Sequence, residues 1–194
     1  FLTLLLIMGL AVLLQFNLPT IKLGIASLLL VVTYPFMKRL TYWPQAFLGL
    51  TFNWGVLMGW TAVAGEFNYP ALWLYFAGIC WTLGYDTIYA HQDTADDLLV
   101  GIKSTALKFG MQTPFWLSGF YTATIFFLCI GGISVNLGWP YFVGVAVGGL
   151  HLMRQVLSVN LDSPSSCLRV FKSNRNFGLI ILTGAILSSI ASTI

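Results

Sequence analysis

Four aspartates stand close together in one short part of the sequence. Residues 85–110 read YDTIYAHQDTADDLLVGIKSTALKFG and contain Asp86, Asp93, Asp96 and Asp97, four of the six acidic residues in the chain. On a continuous helix, at about 100° per residue, Asp86, Asp93 and Asp97 would lie within an arc of roughly 40°, with Asp96 off that face. Three like charges on one helical face repel one another. Protonation or a hard divalent cation must therefore compensate them.

A magnesium ion bound to a diphosphate is the chemistry that this acidic face favours. Mg²⁺ takes oxygen ligands, needs only one or two carboxylates and usually shares its shell with substrate phosphates. Lys38, Arg39 and Lys103 are basic residues that can bind the phosphate oxygens left free by the metal. A simpler interpretation stays open, because a charge cluster after a span is also typical of a solvated loop, and basic residues at span ends also set topology.

The elements that position these residues are membrane spans, as the composition requires. The chain has 194 residues, of which 58% are hydrophobic and 8% are charged, whereas soluble domains carry roughly 25% charged residues. A fold of this size cannot hide so much apolar surface from water, so the sequence predicts an all-α integral membrane protein. The net charge of +3 is small and indicates topology rather than nucleic-acid binding.

Apolar runs and the turn residues between them predict seven transmembrane helices. They cover residues 1–16, 21–36, 45–64, 71–90, 113–135, 141–159 and 177–194. The segments that connect successive predicted spans alternate strictly in their content of basic residues. The first, third and fifth connecting segments hold only Lys22. The second, fourth and sixth, with their flanking helix ends, hold Lys38, Arg39, Lys103, Lys108, Arg154, Arg169, Lys172 and Arg175. This alternation places the acidic stretch on the cytoplasmic side, or on the matrix side in a mitochondrion.

The remaining polar residues within spans give weaker signals. Asn53 falls in the middle of a predicted span, where lipid disfavours it, so we expect it either to join two helices or to line a cavity. The cysteines are far apart, and neither histidine has a partner at ligand spacing, so the sequence predicts no site for a transition metal.

The long acidic motif resembles the second aspartate-rich motif of the UbiA family of intramembrane prenyltransferases. Three further segments support the resemblance, namely YPFMKR (34–39), LGLTFNWGVLMGW (48–60) and SNRNFGL (173–179). It extends over almost the whole chain and implies a bundle of nine helices around a central cavity. It also implies an Mg²⁺-dependent transfer from a polyprenyl diphosphate, with the bilayer holding the lipid tail. The family branch that it resembles most prenylates 4-hydroxybenzoate, ortho to the hydroxyl, in ubiquinone biosynthesis.

The resemblance also implies roles for individual residues. Asp93 and Asp97 match the magnesium-binding pair, and Asp86 matches the preceding acid, which serves the metal and the substrate. Tyr34 and Lys38 match a pair that faces the diphosphate, and Lys103 matches the lysine of the cap region. The other substrate-binding candidates are Asn53, which would line the cavity, and Arg39, which would bind phosphate.

One expected part of the family pattern is absent from these residues. The first acidic motif, of the NDxxDxxxD type, does not occur, so we expect residues 1–194 to be a single UbiA-type domain without its first two helices. Other hypotheses are a small transporter using intramembrane acids, or an inactive fragment of the prenyltransferase. A CDP-alcohol phosphotransferase is disfavoured, because its DGxxAR signature is missing. The expected location is the bacterial or mitochondrial inner membrane.

Overall fold

The computed structural model describes residues 1–192, and these residues form helices and no strands. The described residues contain ten α-helices: α1 Leu2–Leu13, α2 Leu18–Leu40, α3 Pro44–Phe52, α4 Trp54–Ala64, α5 Tyr69–Ala90, α6 Thr94–Val100, α7 Thr105–Phe109, α8 Thr113–Ser134, α9 Trp139–Ser158 and α10 Pro164–Ala191. Two 3₁₀ turns, His91–Asp93 and Gly110–Gln112, flank the pair α6 and α7. The all-α prediction is therefore confirmed.

Long helical stretches coincide with the seven predicted spans, and several of them are able to cross a membrane. Three are long and apolar enough by themselves, namely Leu18–Leu40, Pro44–Ala64 and Thr105–Ser134, while Leu2–Leu13 is apolar but shorter. Membrane crossing by the other stretches stays a prediction. The last two residues of the predicted span 177–194 lie outside the described part of the chain.

The predicted start of the last span is wrong by thirteen residues, since α10 begins at Pro164 rather than at residue 177. Ser163 caps this helix by accepting a hydrogen bond from the Ser166 N–H, and proline suits the first helical position. Arg169 and Lys172 lower the local hydropathy but do not interrupt a helix. The predicted loop 160–176 is therefore mostly helical, and its basic side chains lie on a rigid element.

Close contact between α9 and α10 depends on two glycines. A Cβ added to Gly144 would lie 3.1 Å from the Gly184 Cα, and one added to Gly184 would lie 3.3 Å from the Pro140 carbonyl oxygen. Small residues let helix backbones approach in this way inside a membrane, where van der Waals packing replaces the hydrophobic effect. These contacts hold α10 against the rest of the bundle.

We expect Gly184→Leu to destabilise the protein by about 1–3 kcal/mol, because the new side chain meets backbone that cannot move aside. Gly119→Leu is the matched control, since a Cβ at Gly119 has no atom within 4 Å. Thermal unfolding in detergent, followed by size-exclusion chromatography, measures both variants. Equal melting temperatures for the two variants would contradict the packing described here.

Candidate functional site

The acidic residues lie on three consecutive elements rather than on one helix. The helix α5 carries half-buried Asp86 in its last turn and ends at Ala90. A 3₁₀ turn follows, and Asp93 then occupies the position before α6, whose first turn holds Asp96 and Asp97. The continuous helical face expected from the spacing is therefore interrupted. The tighter 3₁₀ turn changes the angle between Asp86 and the later acids.

Lys38 is the basic residue that links the two ends of this acidic stretch. It lies in the last turn of α2, and its charge acts on both Asp86 and Asp97. Tyr34, one turn earlier on α2, lies within electrostatic range of Asp86. The structure therefore brings together four of the predicted residues from α2, α5 and α6.

Asp97 has an unusual protonation equilibrium. Burial raises the pKa of Asp97 above its ordinary value, and the charges of Asp93 and Asp96 raise it further. Lys38 and a hydrogen bond with Ser104 act in the opposite direction but do not cancel the rise. Asp97 therefore takes up a proton at a higher pH than an ordinary aspartate does.

Lys103 is held next to Lys38 by its own backbone. Its N–H donates to the Lys38 carbonyl oxygen at 2.9 Å, and its Nζ donates to the Leu40 carbonyl oxygen at 3.3 Å. The Nζ also lies 5.4 Å from the centre of the Tyr42 ring. Lys38 and Arg39 are both exposed in the last turn of α2. The charge of Lys38 acts on Asp86 and Asp97, so the structure groups the two lysines with the acids, while a phosphate-binding role for Arg39 stays a prediction.

Three residues that position this site were missed by the sequence analysis. Gln45 is 5% exposed, and its Oε1 accepts a hydrogen bond from the Thr105 N–H at 3.1 Å. The hydroxyls of Thr87 and Thr105 are 2.7 Å apart. These bonds fasten the segment after Lys103 to α3 and α5. The sequence signal that could have pointed to these contacts is Gln45 itself, a polar residue at the start of an apolar span.

Asn53 was expected either to join two helices or to line a cavity, and in the structure it does both. Its Nδ2 donates to the Thr82 hydroxyl at 2.9 Å and to the Gly49 carbonyl oxygen at 2.8 Å. These bonds stabilise the break between α3 and α4 and join it to α5. Asn53 also lines an internal cavity.

This cavity is apolar and has a volume of about 390 Å³. Its lining comes from α4, α5, α8, α9 and α10 and from the joint after α8, and it includes Leu74, Trp81, Leu128, Tyr141, Phe177 and Ile181. Trp81 precedes Asp86 by five residues, or about 7.5 Å along the helix. Along α5, the part that lines the cavity therefore lies further from the helix end than Asp86 does.

The charged end has the donor chemistry for Mg²⁺ but no preformed cage. Within residues 1–192, no three His, Cys, Asp or Glu side chains come together as a metal-binding group. Mg²⁺ is nevertheless commonly held by one or two carboxylates plus water and phosphate oxygens. Asp93 and Asp97, whose charges act on each other, fit that requirement. Metal binding by Asp86, Asp93 and Asp97 remains a prediction.

Comparisons with known proteins identify the family of this chain. The family model described as UbiA prenyltransferase family matches residues 1–181. The mitochondrial 4-hydroxybenzoate polyprenyltransferase of Arabidopsis thaliana is 54% identical over 189 residues, which are 96% of this chain and 46% of that protein. The human protein of the same name is 49% identical over 184 residues, 94% of this chain and 50% of that protein. The chain spans about half the length of the curated relatives it matches.

Two solved structures share the fold. A digeranylgeranylglyceryl phosphate synthase has a TM-score of 0.76 at 18% identity, covering 97% of this chain and 68% of the synthase. The apo structure of a UbiA homologue from Aeropyrum pernix K1 has a TM-score of 0.75 at 23% identity, covering 92% of this chain and 67% of the homologue. At these identities the similarity establishes the fold alone.

We expect Asp93→Asn and Asp97→Asn each to weaken divalent-cation binding at least about tenfold, because each removes an anionic oxygen ligand. Electron paramagnetic resonance with Mn²⁺ as the probe measures the affinity in the purified protein. Asp162→Asn is the control, since Asp162 is an exposed acid in the joint between α9 and α10. An unchanged affinity in both site variants, or an equal loss in the control, would contradict the assignment.

The same binding should depend on pH in a specific direction. A cation binds the ionised carboxylate, so affinity falls as the pH drops through the pKa of Asp97. Because that pKa is raised, the loss should begin above the ordinary aspartate value of about 3.9. Mn²⁺ titrations at a series of pH values test this, and a midpoint at the ordinary value would refute the raised pKa.

Proposed function

We propose, from the premise that this chain belongs to the UbiA prenyltransferase family, that the intact protein is a 4-hydroxybenzoate polyprenyltransferase. It transfers a polyprenyl group from polyprenyl diphosphate to the ring carbon ortho to the hydroxyl of 4-hydroxybenzoate, a step of ubiquinone biosynthesis. The names of relatives at about half sequence identity support the reaction. One structural observation carries the proposal: lysines and carboxylates gather near the end of α5, and the same helix contributes Trp81 to the lining of an apolar cavity.

The diphosphate would bind between the basic and acidic residues. Lys38 and Lys103 lie close together and can hold the diphosphate oxygens as point charges. Tyr34 is placed beside Lys38 to donate a hydrogen bond to the same group. Mg²⁺ held by Asp93 and Asp97 would neutralise charge on the departing diphosphate and so assist cleavage of the allylic C–O bond. Asp86 would help to orient this polar end.

The lysines then stabilise the transition state more than the bound substrate, because negative charge grows on the bridging oxygen as the bond breaks. The resulting allylic cation would lie at the mouth of the cavity. Trp81 and Phe177, whose ring centres are 4.9 Å apart, offer π faces that attract a cation. The ring carbon of 4-hydroxybenzoate attacks, and loss of the ortho proton restores aromaticity. The apolar lining keeps water away from the cation.

The lipid tail and the location follow from the same geometry. The tail of the donor would occupy the cavity next to Asn53 and extend toward the bilayer. The positive-inside pattern places the charged end on the matrix side of a mitochondrial inner membrane, or on the cytoplasmic side of a bacterial one. Relatives named as mitochondrial favour the first location.

We expect Asp93→Ala, Asp97→Ala and Lys38→Ala each to reduce prenyl transfer by the intact protein at least about a hundredfold, because each removes charge from the diphosphate site. The assay follows radiolabelled prenyl diphosphate into prenylated 4-hydroxybenzoate in membranes, with Asp162→Ala as the control. Normal transfer by all three variants would refute the proposed site. Substrate counter-flow in liposomes without transfer would favour a carrier instead.

A further inference from the structure

Besides the apolar cavity, a polar cleft lies between α9 and α10. It has a volume of about 410 Å³ and shares no lining residue with the apolar cavity. Its lining consists of His151, Arg154, Gln155, Ser158, Ser166, Arg169, Val170 and Ser173. Seven of these eight residues are polar, two are arginines and none is acidic. We propose that this cleft binds the headgroup of an anionic phospholipid.

The floor of the cleft is built from a fixed hydrogen-bond network. Gln155 is 4% exposed; its Oε1 accepts from the Tyr121 hydroxyl at 3.0 Å, and its Nε2 donates to the Ser173 hydroxyl at 2.8 Å. The His151 Nε2 lies 3.1 Å from the Ser173 carbonyl oxygen and 3.2 Å from the Gln155 Nε2. The cleft therefore has a defined shape before any ligand enters.

The two arginines give the cleft a positive charge, which favours an anionic ligand. Arg154 and Arg169 approach it from opposite helices, and both side chains are exposed. No carboxylate lines the cleft to neutralise them. Guanidinium groups bind phosphate oxygens through paired hydrogen bonds. Exposed Ser158 and buried Ser166 add hydroxyl groups to the lining. A phosphate group is the ligand that matches this set.

The surface next to the cleft indicates that the phosphate belongs to a lipid. Val143, Val147 and Leu150 lie within about 40° of Arg154 around α9, and their side chains are 51%, 46% and 67% exposed. This apolar strip runs from the cleft toward the middle of the predicted span 141–159. A headgroup in the cleft would thus leave its acyl chains along the strip. Basic clefts between spans on the positive side of a membrane are suited to anionic lipids.

The test uses the intact protein in detergent and native mass spectrometry to count bound lipid. Phosphatidylglycerol is the anionic probe, and phosphatidylcholine with the same acyl chains is the zwitterionic one. Inorganic phosphate is added as a competitor without chains. The variant R154Q/R169Q removes both cleft charges. The matched control K172Q/R175Q removes the same charge from exposed positions of α10 that do not line the cleft.

We expect wild type and the control to bind phosphatidylglycerol in preference to phosphatidylcholine, and R154Q/R169Q to lose about thirtyfold in affinity, since each basic residue near a bilayer contributes about a factor of five. Phosphatidylglycerol should also raise the melting temperature of the wild type but not of R154Q/R169Q. Equal binding by both double variants would overturn the proposal. So would full competition by inorganic phosphate, or no lipid preference in the wild type.

Discussion

The structure depends on the compensation of negative charge at the edge of a membrane. An ionised carboxylate near hydrocarbon is costly unless an opposite charge or a proton accompanies it. Here, Asp86 lies near the end of α5, Asp93 and Asp97 follow it, and the basic side chain whose charge acts on Asp86 and Asp97, Lys38, comes from a different helix. Burial and the neighbouring acids raise the pKa of Asp97 in spite of this lysine. Compensation by a bound cation is the role that we propose for this site.

Several hydrogen bonds hold the loop that carries Lys103 close to the helices that carry Lys38 and Asp86. The Lys103 backbone is bonded to the end of α2 at Lys38, and the following Thr105 is bonded to Gln45 and to Thr87. These bonds connect α2, α3 and α5 to one loop. Below them, Asn53 joins the broken helix to Thr82 and lines the apolar cavity. One bundle therefore holds both a charged end and an apolar cavity, the two environments that the proposed prenyl diphosphate would need.

The sequence predicted the parts of this fold that depend on local composition. Hydropathy and turn residues located the helices, and the acidic motif pointed to residues that the structure brings near Lys38. The side of the membrane on which they lie stays a prediction. The predicted span 71–90 ends where α5 ends, at Ala90, but the estimate that Asp86, Asp93 and Asp97 share one face assumed a helix that continues beyond it, and no glycine or proline marks the interruption. The early start of α10 was missed because hydropathy was weighed above its signals, Ser163 and Pro164. The contacts of Gln45 were out of reach, since they join residues sixty positions apart.

A structure of the intact protein with Mg²⁺ and a non-hydrolysable prenyl diphosphate tests this account most directly. The account predicts carboxylate oxygens of Asp93 and Asp97 at about 2.1 Å from the metal, Lys38 and Lys103 on the diphosphate, and the tail beside Trp81. A diphosphate bound elsewhere, with these aspartates turned toward solvent and the cavity filled by side chains, would contradict it.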